Sequence, residues 1–272
     1  MSDLADIVRE KALPAAAGKR GRSNPVRLIA AHVLLLGALI GGWEGLARAG
    51  IFPPAFIGQP SIFVPMLVSK ILDLSIFPPI MDTLTATLIA FLAGGVLALL
   101  TALLLTVLPS LRELFDPYLA ALNALPRVAL VPLFIVWFGL GMTSKVVSGI
   151  SLMYFILLYN TLAGAQSVDP DHLALARSLG LPGRRVFAQI VVPTAIPAIF
   201  AGLRLGLVYT LLGVVTAELI AGGKGLGSLI SYYSNTFDAN GVFAILLVLI
   251  GVSYALSATM SRIERRLTAW RG

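Results

Sequence analysis

The 272-residue sequence contains no cysteine and only two histidines. Without cysteine the chain can form no disulfide bond, no zinc–thiolate site and no thiol nucleophile. The histidines, His32 and His172, are isolated in the sequence, and no serine lies in a nucleophile-elbow motif. A phosphate-binding loop of the G-x-x-x-x-G-K-S/T type is also absent, because the lysine of GGKGLG at 222–227 is in the wrong place. We therefore predict no catalytic residues, no metal site and no cofactor in this chain.

Charge is scarce as well. Only 12% of the residues are charged and 58% are hydrophobic, whereas average soluble domains have about 25% charged residues. The apolar residues form continuous runs rather than ten-residue alternating segments, which favours membrane-spanning helices over a β-barrel. At ~20 apolar residues per crossing, the length suffices for about six helices and their loops. The predicted fold class is all-α integral membrane.

Six apolar runs predict six transmembrane helices. They lie at about 28–48, 83–111, 118–140, 146–168, 194–221 and 239–261. Pro109 predicts the end of the second helix, and the third run contains Arg127 and two prolines. The chain then divides into a basic N-terminal tail (1–27), a six-span domain (28–262) and a basic C-terminal tail (263–272), with a long loop at 167–192.

The positions of the positive charges orient this topology. If the N-terminus lies inside, lysine and arginine concentrate on cytoplasmic segments, namely both tails, the short connection that contains Arg112, and the loop at 167–192. The segments on the opposite side hold only Arg48, Lys70, Lys145 and Lys224. Cytoplasmic loops of membrane proteins carry an excess of such residues, so both termini are predicted to be cytoplasmic. The net charge of +7 is then explained without a nucleic-acid partner.

The loop at 167–192 carries helix signals of its own. Asp169 before Pro170 is typical of a helix start, and Asp171 lies in the first turn, where the helix dipole favours a negative charge. Gly180 stands where a helix ends in a left-handed residue. Pro182 then predicts a second short helix at 182–191, before Pro193 and the fifth span. The pattern predicts a helix, a glycine turn and a helix outside the membrane.

Two interpretations of this loop are open on chemistry alone. An amphipathic loop with basic residues is suited to lie on lipid headgroups. A glycine turn instead indicates a compact knob that binds a soluble protein, because a lipid surface would be served by one longer helix.

The second interpretation is supported by a resemblance. The segment ALARSLGLPGRRVFAQIVVP (174–193) resembles the EAA loop in the membrane subunits of ABC importers. In that family Glu-Ala-Ala is followed at fixed spacing by glycine, isoleucine and Leu-Pro. The positions that match are Ala176, Gly180, Ile190 and Pro193.

Two positions depart from the family pattern: Ala174 stands where the glutamate is expected, and Leu175 where the first alanine is. Val192 conservatively replaces the leucine. Outside the loop, the segments at 56–67, 123–141 and 202–220 are similar to the nitrate, sulfonate and taurine branch of these permeases.

The resemblance implies a function and a set of partners. The chain is expected to be the permease subunit of an ATP-driven importer in the bacterial inner membrane, and to form the pathway for a small anionic solute such as a sulfonate, taurine or nitrate. A second copy of the chain, two copies of an ATPase subunit that binds ATP and magnesium, and a periplasmic or lipid-anchored binding protein would complete the transporter. The ATPase subunit is expected to bind Asp171, His172, Ala174, Leu175, Ala176, Arg177, Ser178, Leu179, Gly180, Arg184, Phe187, Ile190 and Pro193.

Three charged residues inside the predicted spans are candidates for the translocation pathway. Arg127 and Arg204 lie well within spans, where an arginine is costly unless it is paired or hydrated. They either face a cavity and attract an anion, or bind backbone carbonyls at helix breaks and reach the headgroups. Glu218, near the outer end of the fifth span, either caps or pairs with Lys224 or helps to gate the cavity.

Two other functions are kept as alternatives. A secondary transporter or channel would work without an ATPase. Ion-coupled carriers often place carboxylates or histidines near mid-membrane, whereas here the acidic residues lie near the ends of the spans and no inverted repeat is visible. A membrane scaffold without transport activity fits the composition but leaves the capped inner loop unexplained.

Overall fold

The structure, a computed structural model, describes residues 25–50, 53 and 56–268. The described part of the chain folds into α-helices, one 3-10 turn at Arg127–Leu130 and one π-helical segment at Phe187–Val191. In chain order the helices are α1 (Pro25–Arg48), α2 (Pro60–Leu72), α3 (Phe77–Val107), α4 (Pro109–Ala124), α5 (Val131–Phe138), α6 (Met142–Gln166), α7 (Pro170–Ser178), α8 (Gly183–Val186), α9 (Val192–Ala221), α10 (Leu226–Asn235) and α11 (Ala239–Leu267).

Five helical stretches are long and apolar enough to cross a membrane. They are α1, α3, α6, the stretch from α8 through α9, and α11. A sixth crossing results if the bent pair of α4 and α5 counts as one span. The predicted all-helical membrane fold is therefore confirmed. Most of the two predicted tails lies outside the described residues, and residues 263–267 continue α11.

The predicted third span at 118–140 falls on the bent pair of α4 and α5. The helix begins earlier, at Pro109, and the chain bends by 80° between α4 and the stretch from Arg127 to Phe138. Pro126 causes this break, because proline has no N–H and disfavours a helical conformation in the residue before it. Leu125 accordingly adopts an extended conformation, with φ −66° and ψ 137°.

The second arm of the inner loop also differs from the prediction. The expected separate helix at 182–191 does not end before Pro193. Instead α8 passes through the π-helical segment into α9, so that Gly183–Ala221 forms one helical stretch of 39 residues. The ring of a proline crowds the carbonyl four residues earlier in an α-helix, and here the wider π turn directly precedes Pro193 and accommodates it.

Helix α6 lies at the centre of the fold, packed between α3 and α9. Glycines allow this close packing. A Cβ atom on Gly149 of α6 would lie 2.8 Å from the Cβ of Ala90 on α3, and one on Gly213 of α9 would lie 2.7 Å from the carbonyl oxygen of Ser148. The largest buried apolar cluster joins α3, α4 and α6 around Met153, Leu157 and Leu158.

Helix α2, which lies between the first two long spans, packs against α1 and α11. An aromatic cluster holds the three helices together: the ring centroids of Trp43 and Phe63 are 5.4 Å apart, and those of Trp43 and Phe243 are 4.8 Å apart. The backbone N–H of Gln59 donates a 2.8 Å hydrogen bond to the side chain of Asn240. The end of α1 is thereby fixed to the start of α11.

Candidate functional site

The inner loop between α6 and α9 contains a helix that is capped at both ends. The Asp169 carboxylate accepts a 2.9 Å hydrogen bond from the Asp171 N–H, which confirms the predicted N-cap of α7. Gly180 has a φ of +65°. The Gly180 N–H donates to the Arg177 carbonyl and the Leu181 N–H to the Ala176 carbonyl, both at 3.0 Å. This pair of bonds is a Schellman motif, and it fixes the end of the nine-residue helix.

One face of α7 borders a groove in the loop. Leu175 and Leu179, one helical turn apart, are 58% and 68% exposed. They stand at a groove of about 330 Å³ between α7 and the start of α9. Its lining is largely apolar and consists of His172, Leu175, Ala176, Leu179, Leu181, Gln189, Ile190, Pro193 and Thr194.

Most of the predicted partner-binding residues lie on the surface of this loop. Phe187, Ile190 and Pro193 are half-buried, and Ala176 is only 2% exposed and packs inside. The exposed ones are Asp171, His172, Ala174, Leu175, Arg177, Ser178, Leu179, Gly180 and Arg184. Leu181, Gln189 and Thr194 also line the groove, and the motif does not identify them because it specifies no residue type at these positions.

The basic residues of the loop lie on a different side from the two leucines. Arg177 and Arg184 line a second cavity of about 790 Å³, together with Phe187 and the inner end of α3 at Thr106 and Val107. The loop therefore has an apolar side at the groove and a basic side that faces the rest of the bundle.

Arg127 lies at the break between α4 and α5. Its guanidinium donates to the carbonyl and the side-chain oxygen of Asn123, at 3.1 and 2.5 Å. Its bonds to the carbonyls of Ser151 and Leu152 on α6 are longer, at 3.5 and 3.4 Å. No carboxylate lies within 4 Å of it among the described residues.

The guanidinium of Arg127 also stands over an aromatic ring and beside a cavity. Its carbon atom is 4.9 Å from the centroid of the Phe155 ring, a position in which the ring stabilises a cation. The adjoining cavity has a volume of about 290 Å³ and is bordered by Tyr209 and Leu212 of α9. Arg127 therefore combines bonds to backbone carbonyls with a place at a cavity.

Arg204 has an acidic partner that the sequence did not indicate. Its guanidinium donates a 3.2 Å hydrogen bond to the carboxylate of Glu264, 60 residues later in α11. The two side chains are 46% and 23% exposed. The pair joins α9 to the last turn of α11.

Glu218 pairs with Lys145, and not with the side chain of Lys224 as the sequence suggested. The ammonium of Lys145 lies 3.1 Å from the Glu218 carboxylate. Lys145 was predicted to lie on an outer loop, but α6 already begins at Met142, so that Lys145 stands in its first turn. The carboxylate of Glu218 also accepts hydrogen bonds from the Thr83 hydroxyl and from the Gly227 N–H.

Comparison with known proteins shows which family this chain resembles. Residues 90–269 match the family model for the inner membrane component of binding-protein-dependent transport systems. The taurine transport system permease protein TauC of Escherichia coli (strain K12) is 27% identical over 251 residues, covering 90% of this chain and 91% of that protein. A putative aliphatic sulfonates transport permease protein, SsuC of Bacillus subtilis (strain 168), is 28% identical over 239 residues, covering 88% and 87%.

Two solved structures share the fold. An amino acid ABC transporter aligns with a TM-score of 0.61 and 21% identity over 75% of this chain and 98% of that one. The MetNI methionine ABC transporter in an inward-facing conformation aligns with a TM-score of 0.62 and 17% identity over 71% and 96%. Because the family match includes α6, the capped inner loop and α9, and two relatives align over nearly their whole length, the chain belongs to the family of inner membrane components of binding-protein-dependent transport systems.

Proposed function

We propose that this permease works as a homodimer with two copies of an ATPase subunit and with a soluble substrate-binding protein, in the bacterial inner membrane with both termini in the cytoplasm. The observation that carries the proposal is the inner loop. Helix α7 is a short knob fixed by caps at both ends, and it presents two exposed leucines between two spans. The ATPase subunit, with its bound ATP and magnesium, would supply the hydrolysis that the family relies on.

The contact with the ATPase is proposed to be mainly apolar. Leu175 and Leu179 are proposed as the anchors of this contact, because a few buried residues dominate the binding energy of an interface. The family glutamate is absent at Ala174, so the loop lacks the carboxylate that relatives of this kind have there. His172, Leu181 and Ile190 would form the floor into which the partner packs.

The loop is suited to transmit movement to the membrane. Because α8, the π-helical segment and α9 form one uninterrupted stretch, a displacement of the loop would pass directly into the fifth span. The caps at both ends of α7 would keep the helix folded when the ATPase subunit moves it. Such a rigid-body transmission is a common way to connect ligand binding at one site to opening at another.

The solute is proposed to be a small sulfonate or a similar anion. Two relatives carry taurine and aliphatic sulfonate transport in their names. In this chain Arg127 supports the proposal, since its charge has no carboxylate within 4 Å among the described residues and it borders a cavity at the bend of the third span. Arg204 would contribute less to the pathway, because Glu264 balances its charge.

The docking proposal is tested by removing the two exposed leucines. In the Leu175→Ser/Leu179→Ser variant we expect insertion into the membrane at the normal level and loss of at least nine-tenths of the ATPase subunit that co-purifies. Leu72→Ser is the matched control, because Leu72 is an even more exposed leucine on α2, outside the inner loop. It should leave co-purification unchanged.

Two results would contradict the proposal. If the double variant still binds the ATPase subunit at the normal level, α7 is not the docking element. If vesicles that contain this chain alone accumulate taurine in response to an ion gradient without ATP, the chain is a secondary transporter.

A further inference from the structure

The pair of Lys145 and Glu218 is the most enclosed set of charges in the described part of the chain. The Glu218 residue is 0% exposed and Lys145 is 6% exposed. Removing two charges from water is costly, and a buried pair often contributes little net stability compared with apolar residues of similar size. Stability alone therefore does not explain why these two charges are buried together, and the contacts of the pair indicate another role.

The carboxylate of Glu218 is the point at which four segments meet. Besides the bond from Lys145 of α6, it accepts a 2.9 Å hydrogen bond from the Thr83 hydroxyl of α3. The Gly227 N–H of α10 donates a further 2.9 Å bond to it. Glu218 itself belongs to α9, so one side chain joins α3, α6, α9 and α10.

Two further hydrogen bonds attach the start of α10 to this point. The N–H of Leu226 donates to the Thr83 hydroxyl oxygen at 2.9 Å. The ammonium of Lys145 donates to the Lys224 carbonyl oxygen at 2.6 Å. The turn that leads from α9 into α10 is therefore held by side chains from α3 and α6.

Glycine makes this approach possible. Gly225 has a φ of +110°, and a Cβ atom at this position would overlap the Glu218 carboxylate. A Cβ atom on Gly227 would lie 2.7 Å from the Cβ of Glu218. Gly225 and Gly227 thus have a packing role, because they let the backbone at the start of α10 close over a buried carboxylate.

The bent pair of α4 and α5 contributes no side chain to this set of bonds. Nor do α1, α2 and α11, within the described residues. The bonds therefore connect four segments directly, whereas α11 packs on this group through apolar residues, with Ile245 in one buried cluster with Ile76 and Leu226.

We infer that Lys145 and Glu218 are positioning residues, which hold the outer ends of α3, α6 and α9 and the start of α10 together as one rigid unit throughout the transport cycle. Outer opening then takes place between this unit and other parts of the transporter, not within it. That a transport cycle exists rests on the proposed function. That the four segments form one unit rests on the contacts described above.

A set of substitutions can distinguish whether Lys145 and Glu218 position the four segments or only affect the stability of the fold. Glu218→Gln or Lys145→Met leaves one buried charge without its partner, and each should lower the amount of folded chain several-fold. The double variant Lys145→Met/Glu218→Gln removes both charges, so it should restore the folded amount to near that of the unaltered chain. Because it also lacks the Lys145 bond to the turn before α10, we expect its ATP-driven uptake of taurine to stay at least tenfold below normal.

The matched control is Asp116→Asn. It removes the acidic member of the partly exposed pair Arg112–Asp116 on α4, and it should change neither the folded amount nor uptake. If the double variant takes up taurine at the normal rate, the pair serves charge compensation only and the inference is wrong.

A distance measurement tests the rigid unit directly. The chain has no cysteine, so spin labels attach only at introduced cysteines. Met81→Cys on α3 and Tyr232→Cys on α10 are exposed positions on two members of the unit. In the full chain in lipid nanodiscs we expect a narrow distance distribution, which the Lys145→Met/Glu218→Gln substitutions broaden.

In the complete transporter the distance between positions 81 and 232 should stay the same with and without ATP. A shift on adding ATP would overturn the inference. Labels at Met81→Cys and Ala188→Cys, the latter an exposed loop position outside the proposed ATPase contact, report on the inner loop and should change their distance under the same conditions. If the distance to the label in the loop does not change, the proposed coupling through the loop is wrong. The distance between positions 81 and 232 still decides whether the unit is rigid.

Discussion

The guanidinium of Arg204 on α9 lies 3.2 Å from the carboxylate of Glu264 on α11. Both side chains are partly exposed, and ion pairs of this kind contribute about 0–1 kcal/mol to stability. The pair balances the charge of one of the two arginines that lie within the spans. The other, Arg127, has only neutral partners in the described residues.

This difference predicts unequal roles in transport. Arg127→Gln is expected to raise the KM for taurine uptake about tenfold, which corresponds to about 1.4 kcal/mol, because a charge that attracts the sulfonate is lost. Arg204→Gln should raise it twofold at most. The measurement is uptake of radiolabelled taurine by cells that produce the complete transporter, with the amount of assembled complex determined in parallel.

Arg127→Lys serves as a further comparison, since it keeps the charge but loses the fork of N–H groups that holds Asn123. A normal KM in Arg127→Gln, or a loss of assembly instead of a change in KM, would assign Arg127 to the helix break alone.

The turn at Gly180 offers a second test. Its φ of +65° lies in the left-handed region, where a residue with a Cβ atom costs about 1 kcal/mol or more. Gly180→Ala should therefore loosen the end of α7 and weaken ATPase binding several-fold. Gly183→Ala is the control: Gly183 does not have a positive φ, and a Cβ atom there would meet open space. Equal binding by the two variants would show that the shape of this turn is unimportant for docking.

The N-cap of α7 can be compared with a second aspartate cap in the same chain. Asp169 accepts from the Asp171 N–H at 2.9 Å, and Asp238 accepts from the Gly241 N–H at 3.0 Å at the start of α11. Loss of such a cap costs about 1 kcal/mol. Asp169→Ala should speed hydrogen exchange in the amides of α7 and reduce ATPase co-purification, whereas Asp238→Ala should affect neither. If Asp169→Ala speeds exchange without loss of co-purification, the order of α7 does not control docking.

The orientation in the membrane is open to a direct chemical test. A cysteine introduced at Asn235, the last residue of α10, should react with a membrane-impermeant maleimide in spheroplasts. A cysteine at Ser178, the last residue of α7, should react only after the membrane is permeabilised. The reverse pattern would invert the proposed topology and remove α7 from the side on which an ATPase works.

Much of the inner loop could be predicted from the sequence because its signals are local. The N-cap at Asp169 and the left-handed turn at Gly180 depend on residues within one or two helical turns, and both are confirmed. The second arm was predicted wrongly. Pro193 predicts a helix boundary, yet the π-helical segment lets the helix continue past it, and no pattern of residue types indicates a turn of that kind.

The same division applies to the whole chain. Apolar runs determined that this is a helical membrane protein and roughly where its spans lie, because the length of a crossing and the cost of burying charge act on each segment separately. Only the tertiary structure decided which charges meet. Lys145 is 73 residues from Glu218, and Arg204 is 60 residues from Glu264. Such pairs form only when helices from different parts of the chain pack side by side, since the hydrogen bonds that compensate a buried charge must come from its neighbours in space.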